Sequence, residues 1–297
     1  MAGPAHTAFE QARDGLLDAY GDYDAAARNF EWPTVGEKFN WAIDWFDAIA
    51  RGNDTTALWI VEEDGSEAKY SFDDMARRSD QVGRWLEQLG VGRGDSVILM
   101  LGNQVELWES MLAVMKLGAV LMPTTTAIGS ADLTDRVQRG EAKAVIVNPV
   151  DAPKFCDVPG DYLKISVGES DGWTQFASAY DVADAQPFET VTAPDDRLLL
   201  YFTSGTTSKP KLVEHTQVSY PVGHLTTMYF LGVKPGDVHL NISSPGWAKH
   251  AWSCFFAPWI AEATIFVYNY TRFDAKALLE QIRRAEVTTF CAPPTVW

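Results

Sequence analysis

The stretch Arg197-Leu198-Leu199-Leu200-Tyr201-Phe202-Thr203-Ser204-Gly205-Thr206-Thr207-Ser208-Lys209-Pro210-Lys211 changes character after Phe202. Up to that residue it is an apolar run, which suits a strand covered on both faces. Beyond it, Thr203, Ser204, Thr206, Thr207 and Ser208 supply hydroxyls, Gly205 permits unusual dihedrals, and Lys209 and Lys211 set two ammonium groups around the stiffening Pro210. Donors and positive charge on a backbone that can approach closely are what a phosphate group needs. A polar surface turn has a similar composition. Position favours the phosphate reading, because ligand sites of α/β proteins lie outside the carboxyl ends of strands. The order of residues excludes a Walker loop, which requires Gly where Pro210 stands, and there is no Gly-x-Gly-x-x-Gly for a dinucleotide.

Outward from this loop, helical and β-rich segments alternate, which predicts an α/β fold with mixed or parallel sheets flanked by helices. Ser71-Phe72-Asp73-Asp74 reads as a helix start, and Phe72, Met75, Ala76, Val82, Trp85, Leu86 and Leu89 line one face as far as Gly90. Val97 to Leu101, Ala119 to Pro123 and Ala144 to Val147 read as strands, separated by helices from Val105 to Leu117 and from near Ser130. Ala263 to Tyr268 and Val287 to Cys291 follow as strands, with a helix capped by Asp274 between them. The expected division is a helical arm with first strands over 1–70, a first α/β subdomain over 71–190, and an incomplete second one over 191–297 carrying the phosphate loop. Its boundary falls in the Asp-, Gly- and Pro-rich residues 148–195.

With 24 Lys and Arg against 40 Asp and Glu, the chain carries a net charge of -16, which argues against a nucleic-acid or anionic-membrane partner. Any polyanion must be held locally. Cys156, Cys254 and Cys291 are too widely spaced for a disulfide framework or zinc site, and a reducing cytoplasm fits them. The apolar run from Trp247 to Tyr268 is broken by Lys249, His250, Pro258 and Glu262, so it reads as a buried helix and strand and not as a membrane span. Within it Trp252, Phe255, Phe256 and Trp259 have the spacing of a core face. His215, His224 and His250 read as structural histidines.

The run Tyr201 to Lys211 resembles the phosphate-binding signature of the adenylate-forming (AMP-binding) superfamily, and the continuation Leu212-Val213-Glu214-His215-Thr216 is most similar to its medium-chain acyl-CoA synthetases. Ser208 and Leu212 stand where that family usually has Gly. Phe39 to Phe46, Leu89 to Val97 and Gly118 to Pro123 also fit the framework of its N-terminal large domain. The resemblance implies an ATP-dependent acid:CoA ligase: a medium-chain fatty or aryl carboxylate attacks the α-phosphate of ATP to give an acyl-adenylate, and CoA then displaces AMP. In that reading Thr203 to Lys211 bind nucleotide, with Lys209 and Lys211 in the catalytic role, Thr206 and Thr207 touch Mg2+, and Gly246 and Trp247 wall the acyl pocket. The family's adenine, ribose and mobile C-terminal elements have no counterpart in these 297 residues, so the chain alone is expected to lack full activity. Exposed apolar surface where the missing half would dock is expected to drive association that is not physiological, and the oligomeric state, a homo-oligomer included, stays open. Two alternatives stay open: another adenylate-forming enzyme, or a non-catalytic homologue that binds a nucleotide or an acyl group.

Overall fold

The computed structural model describes residues 3–203 and 210–297. Among the described residues twelve strands form two sheets: β1 (Thr56–Val61), β2 (Glu67–Ser71), β3 (Ser96–Met100), β4 (Val120–Pro123), β5 (Ala142–Val147), β6 (Leu163–Ser166), β7 (Thr174–Gln175), β8 (Arg197–Thr203), β9 (Lys211–Thr216), β10 (Val238–Asn241), β11 (Thr264–Tyr268) and β12 (Thr289–Cys291). The smaller sheet runs β12-β10-β11-β1-β2 and the larger β7-β6-β5-β3-β4-β8-β9. Pairing is parallel apart from the β1–β2 and β8–β9 hairpins. The sheets draw on distant parts of the chain. Segments 71–190 and 191–297 both supply the larger sheet, and β1 pairs with β11 across some two hundred residues.

Strand parity explains the layering, because successive side chains point to opposite faces. Val97 and Leu99 of β3, with Ile265 and Val267 of β11, enter a central core shared by both sheets. Their neighbours Ile98 and Met100 instead meet Leu133 and Val137 of helix Ser130–Arg139, and Phe266 meets Leu278 of helix Ala275–Arg284. Helices thus cover the outer faces and fill the space between.

That central layer is aromatic. Trp41, Trp45, Trp108, Phe255 and Trp259 are fully buried, and the Phe46 and Trp259 rings lie 4.6 Å apart. Buried indoles need acceptors. Trp45 donates to the Trp259 carbonyl (3.1 Å), Trp108 to Cys254 (3.0 Å) and Trp259 to Ala57 (3.1 Å), each bond tying separate elements together. Trp252 departs from the expected core face. It is only half-buried, because the chain leaves helical geometry at Cys254 (φ -123, ψ 16), which rotates Trp252 away from Phe255, Phe256 and Trp259.

The helix Phe72–Gln88 begins as its sequence predicts: Ser71 and Asp74 form a reciprocal capping box. Its inner face also carries a buried charge cluster. The Lys116 ammonium lies 2.8 Å from both Asp47 and Asp80, and Arg51 bridges the same carboxylates at 2.5 and 2.7 Å. Burial pushes the Asp47 pKa up, and Lys116 opposes that. Lys116→Met would leave two buried carboxylates to one arginine, and urea denaturation is expected to show a loss of about 3–5 kcal/mol, partly recovered when Asp80→Asn is added.

Candidate functional site

Because β3, β4 and β8 are parallel neighbours, their carboxyl ends emerge on one edge of the larger sheet, and β10, β11 and β12 likewise share an edge of the smaller one. Between these edges lies a cleft of about 580 Å³. Its walls are the segment after β3 (Leu101 to Asn103), Thr126 after β4, the run from Asn241 to Pro245 after β10, Trp247, Lys249 and the end of β11.

Gly246 holds the two sheets' loops together. Its φ is +92, and a Cβ there would fall 2.2 Å from the Thr125 nitrogen and 2.5 Å from the Thr124 carbonyl carbon. Only glycine lets the β10 loop lie directly on the β4 loop. Trp247 follows in extended conformation ahead of the short helix Ala248–Ala251, and its side chain is 61% exposed at the cleft wall. The turn places Lys249 so that its ammonium donates to Asn241 Oδ1 and to the Ile242 carbonyl, both at 3.0 Å.

Next to it, buried His250 meets Asn103 Oδ1 through Nε2 at 3.0 Å. Burial, aided by Lys249, pulls its pKa down to about 3. The ring is therefore a neutral donor. The Asn103 carbonyl in turn accepts from Asn269 at 2.9 Å, so β3, β11 and the helix after Trp247 are joined through one asparagine.

On the larger sheet Thr203 and Lys211 are register partners at the mouth of the β8–β9 hairpin, and both are exposed. The expected contacts Ser204, Gly205, Thr206, Thr207, Ser208 and Lys209 lie outside the described residues, whereas Thr203, Pro210 and Lys211 are within them. Behind this mouth sits an aromatic cluster. The His215 and Tyr220 rings are 4.4 Å apart, Tyr220 and His224 likewise 4.4 Å, and His224 stacks on Phe256 at 5.6 Å. Burial brings the His224 pKa down to about 3 and the Tyr220 pKa up to about 12. These neutral groups brace the hairpin, in keeping with the structural reading of the histidines.

Asn103, Asn269 and Lys249 carry the polar half of the cleft and were not singled out from sequence. Asn103 had one usable signal, its place just beyond a buried strand's carboxyl end. Among the described residues, no three His, Cys, Asp or Glu side chains are grouped to hold a metal ion, no disulfide forms, and no helix is long and apolar enough to cross a membrane.

Residues 45–297 match the family model of AMP-binding enzymes. The chain is 37% identical over 268 residues to 4-hydroxybutyrate–CoA ligase 1 of Metallosphaera sedula, covering 88% of this chain and 47% of that protein. It is 31% identical over 309 residues to the mitochondrial acyl-coenzyme A synthetase ACSM3 of Homo sapiens, covering 99% and 53%. The chain thus spans about half the length of these relatives. Its fold is that of the Brucella canis acyl-CoA synthetase (TM-score 0.83, 24% identity, 92% of this chain and 52% of that one). It is likewise that of the anthranilate CoA ligase AuaEII in complex with anthranoyl-AMP (TM-score 0.75, 22% identity, 85% and 49%).

A histidine buried in neutral form binds its proton only in the unfolded chain, so its contribution to stability is complete above the ordinary pKa near 6.5 and falls as acid carries the pH down towards about 3. His250→Gln keeps a donor for Asn103 without titrating. Its unfolding free energy, followed by urea titration between pH 4 and 6, is expected to fall less steeply than that of the parent, by about 1.4 kcal/mol per pH unit.

Proposed function

This chain belongs to the AMP-binding enzyme family, and from that premise we propose that its whole protein is an AMP-forming acid:CoA ligase acting on a carboxylic acid, ATP and CoA. The observation that carries the reading is the meeting of two edges. A hydroxyl- and lysine-bearing hairpin mouth opens at the carboxyl end of β8, and Gly246 draws the cleft of the other sheet against the loop of its neighbour β4. One edge suits a nucleotide's phosphates and the other an acyl group.

In this mechanism an ionised carboxylate needs no general base to attack the α-phosphorus, so catalysis rests on positioning and on charge stabilisation. The Thr203 hydroxyl and the Lys211 ammonium, together with Lys209, take the β- and γ-phosphates and stabilise pyrophosphate as it leaves. Thr206 and Thr207 would help hold magnesium carried with the nucleotide, and the ion would supply positive charge that eases the departure of pyrophosphate. Trp247 bounds the acyl chain, and Gly246 keeps that wall at a fixed distance from the β4 loop. In the second step the CoA thiol displaces AMP.

Medium-chain fatty or aryl acids remain the first choice of substrate. A second choice, a short hydroxylated acid, is favoured by the polar wall of Asn103, Asn241 and Lys249, and one relative is named as a 4-hydroxybutyrate ligase. The setting proposed is a reducing compartment such as the cytoplasm, in keeping with the free Cys156, Cys254 and Cys291.

Acid-dependent exchange of labelled pyrophosphate into ATP tests the reading, with octanoate, benzoate and 4-hydroxybutyrate offered to this chain and to the whole protein. Exchange by the whole protein with at least one acid is expected, and Lys211→Gln should lower its rate about 10- to 100-fold. A correctly folded whole protein that exchanges with none of them would defeat the ligase reading.

A further inference from the structure

The helix Ser130–Arg139 buries Leu133 and Val137 against the outer face of the larger sheet and sets Arg136 and Arg139 along its flank. Both guanidinium groups lie on one ring. Arg136 Cζ is 4.9 Å and Arg139 Cζ 5.5 Å from the centre of Phe202, the residue before Thr203. Arg139 is paired: through Nη1 it meets Asp135 at 2.8 Å and donates to the Pro210 carbonyl at 3.0 Å. Arg136 is not. Among the described residues it makes one long hydrogen bond, to the Asp132 carbonyl at 3.4 Å, and no carboxylate lies within ion-pair distance.

Two ordinary explanations account for part of this. A cation in the last turn of a helix is favoured by the helix dipole, and stacking on an aromatic face adds about 0.5–1 kcal/mol at exposed sites. Neither satisfies the donors of a half-buried guanidinium, which carries five N–H groups in a rigid fork. Burial is the largest influence on Arg136, ahead of the compensating charges of Asp132 and Asp135. Surface solubility would be served better by a solvated lysine than by an arginine held over the ring of Phe202.

Location supplies a reason. Phe202 leads into Thr203, Thr203 pairs with Lys211, and Pro210 is bonded to Arg139. Two guanidinium groups therefore gather on the outer face of the hairpin, next to its loop end, in a chain whose net charge is -16.

We propose that Arg136, with Arg139 beside it, forms a second anion-recognition surface on the outer flank of the hairpin stem, and that it takes a phosphate-bearing ligand. The inference rests on the ligase reading for the source of that phosphate, which is either the polyphosphate tail of the nucleotide or the 3′-phosphate of CoA. Arg136 acts in recognition; it forms no bond with a reacting atom. Phe202 holds the guanidinium plane so that its outer edge can receive two oxygens of one phosphate.

Calorimetric titration of the 297-residue chain at low ionic strength tests this, with inorganic tripolyphosphate standing for the nucleotide tail and adenosine 3′,5′-bisphosphate for the CoA end. Binding of at least one probe is expected, weakened about tenfold in Arg136→Gln and restored in part by Arg136→Lys, which keeps charge but loses the fork. The probe that loses affinity identifies the source, and equal losses for both assign a general phosphate site. Thermal melting of both variants should stay within a few degrees of the parent, the size of the lost ring contact, which separates recognition from a larger stabilising role. Parent chain that binds neither probe, or Arg136→Gln that binds both as the parent does, overturns the site. The outcome is independent of pyrophosphate exchange: exchange without any Arg136 effect removes only this site, and an Arg136 effect without exchange removes only the ligase reading.

Discussion

The structure depends on one shared aromatic layer. Two sheets with no strand pairing between them among the described residues are held at a fixed spacing because Trp41, Trp45, Trp108 and Trp259 are buried between them, and large rings cannot be withdrawn without leaving voids. The N–H groups of Trp45, Trp108 and Trp259 add direction to that packing. Trp259 donates to Ala57 of β1, and Trp45 donates to the carbonyl of Trp259 itself, so the turn that carries Trp45, the smaller sheet and the kinked helix after Trp247 are tied together. With the layer in place, the carboxyl edges of both sheets face a common cleft. The site is a consequence of this alignment.

Much of the secondary structure was legible because local signals and burial agreed. Ser71 and Asp74 cap the helix Phe72–Gln88, Asp274 caps Ala275–Arg284, and the apolar runs at β3, β4, β5 and β8 are strands within a residue or two of expectation. How the strands divide between two sheets was not legible, since an apolar run states that a strand is covered and not which strand lies beside it. β1 finds β11, and β8 extends the sheet begun by β3, through contacts that local pattern does not encode. Lys116 shows the same limit for charge. It sits in the last turn of helix Val105–Lys116, where a lysine is ordinarily solvated, yet Asp47 and Asp80 receive it inside the core. Trp252 failed for a different reason: helical spacing assumes an unbroken helix, and the distortion at Cys254 changes the phase.

The candidate site divides along similar lines. Gly246 and Trp247 were pointed to by the family resemblance alone. The structure adds that the positive φ of Gly246 and its contact with the distant Thr124–Thr125 backbone admit no side chain. It leaves Trp247 exposed at the cleft wall. Asn103, Asn269 and Lys249 gain meaning only when β3, β10 and β11 are brought to one place, since each acts through a partner far away in the chain or on another strand. The histidines illustrate the converse. Their residue type suggests acid–base work, but burial holds His224 and His250 neutral, with pKa values down to about 3, which suits braces better than proton carriers.

Charge is where composition and structure have to be reconciled. A chain at net charge -16 repels a polyanion at long range, so such a ligand must be captured by short-range, desolvated contacts. The fold meets that requirement by concentration. Many of its arginines are spent on carboxylates, as Arg13 on Glu262, Arg93 on Asp196 and Arg197 on Glu214. At the hairpin mouth Lys211 projects into solvent, and on the flank Arg136 is fixed by Phe202 with no carboxylate at ion-pair distance among the described residues. Because screening shortens the reach of the surrounding acids to about 8–10 Å at physiological salt, this local excess can set the potential at the mouth against the sign of the whole molecule. Phosphate recognition by an acidic protein then becomes a question of which few cations are left unpaired, and of the rings and turns that hold them there.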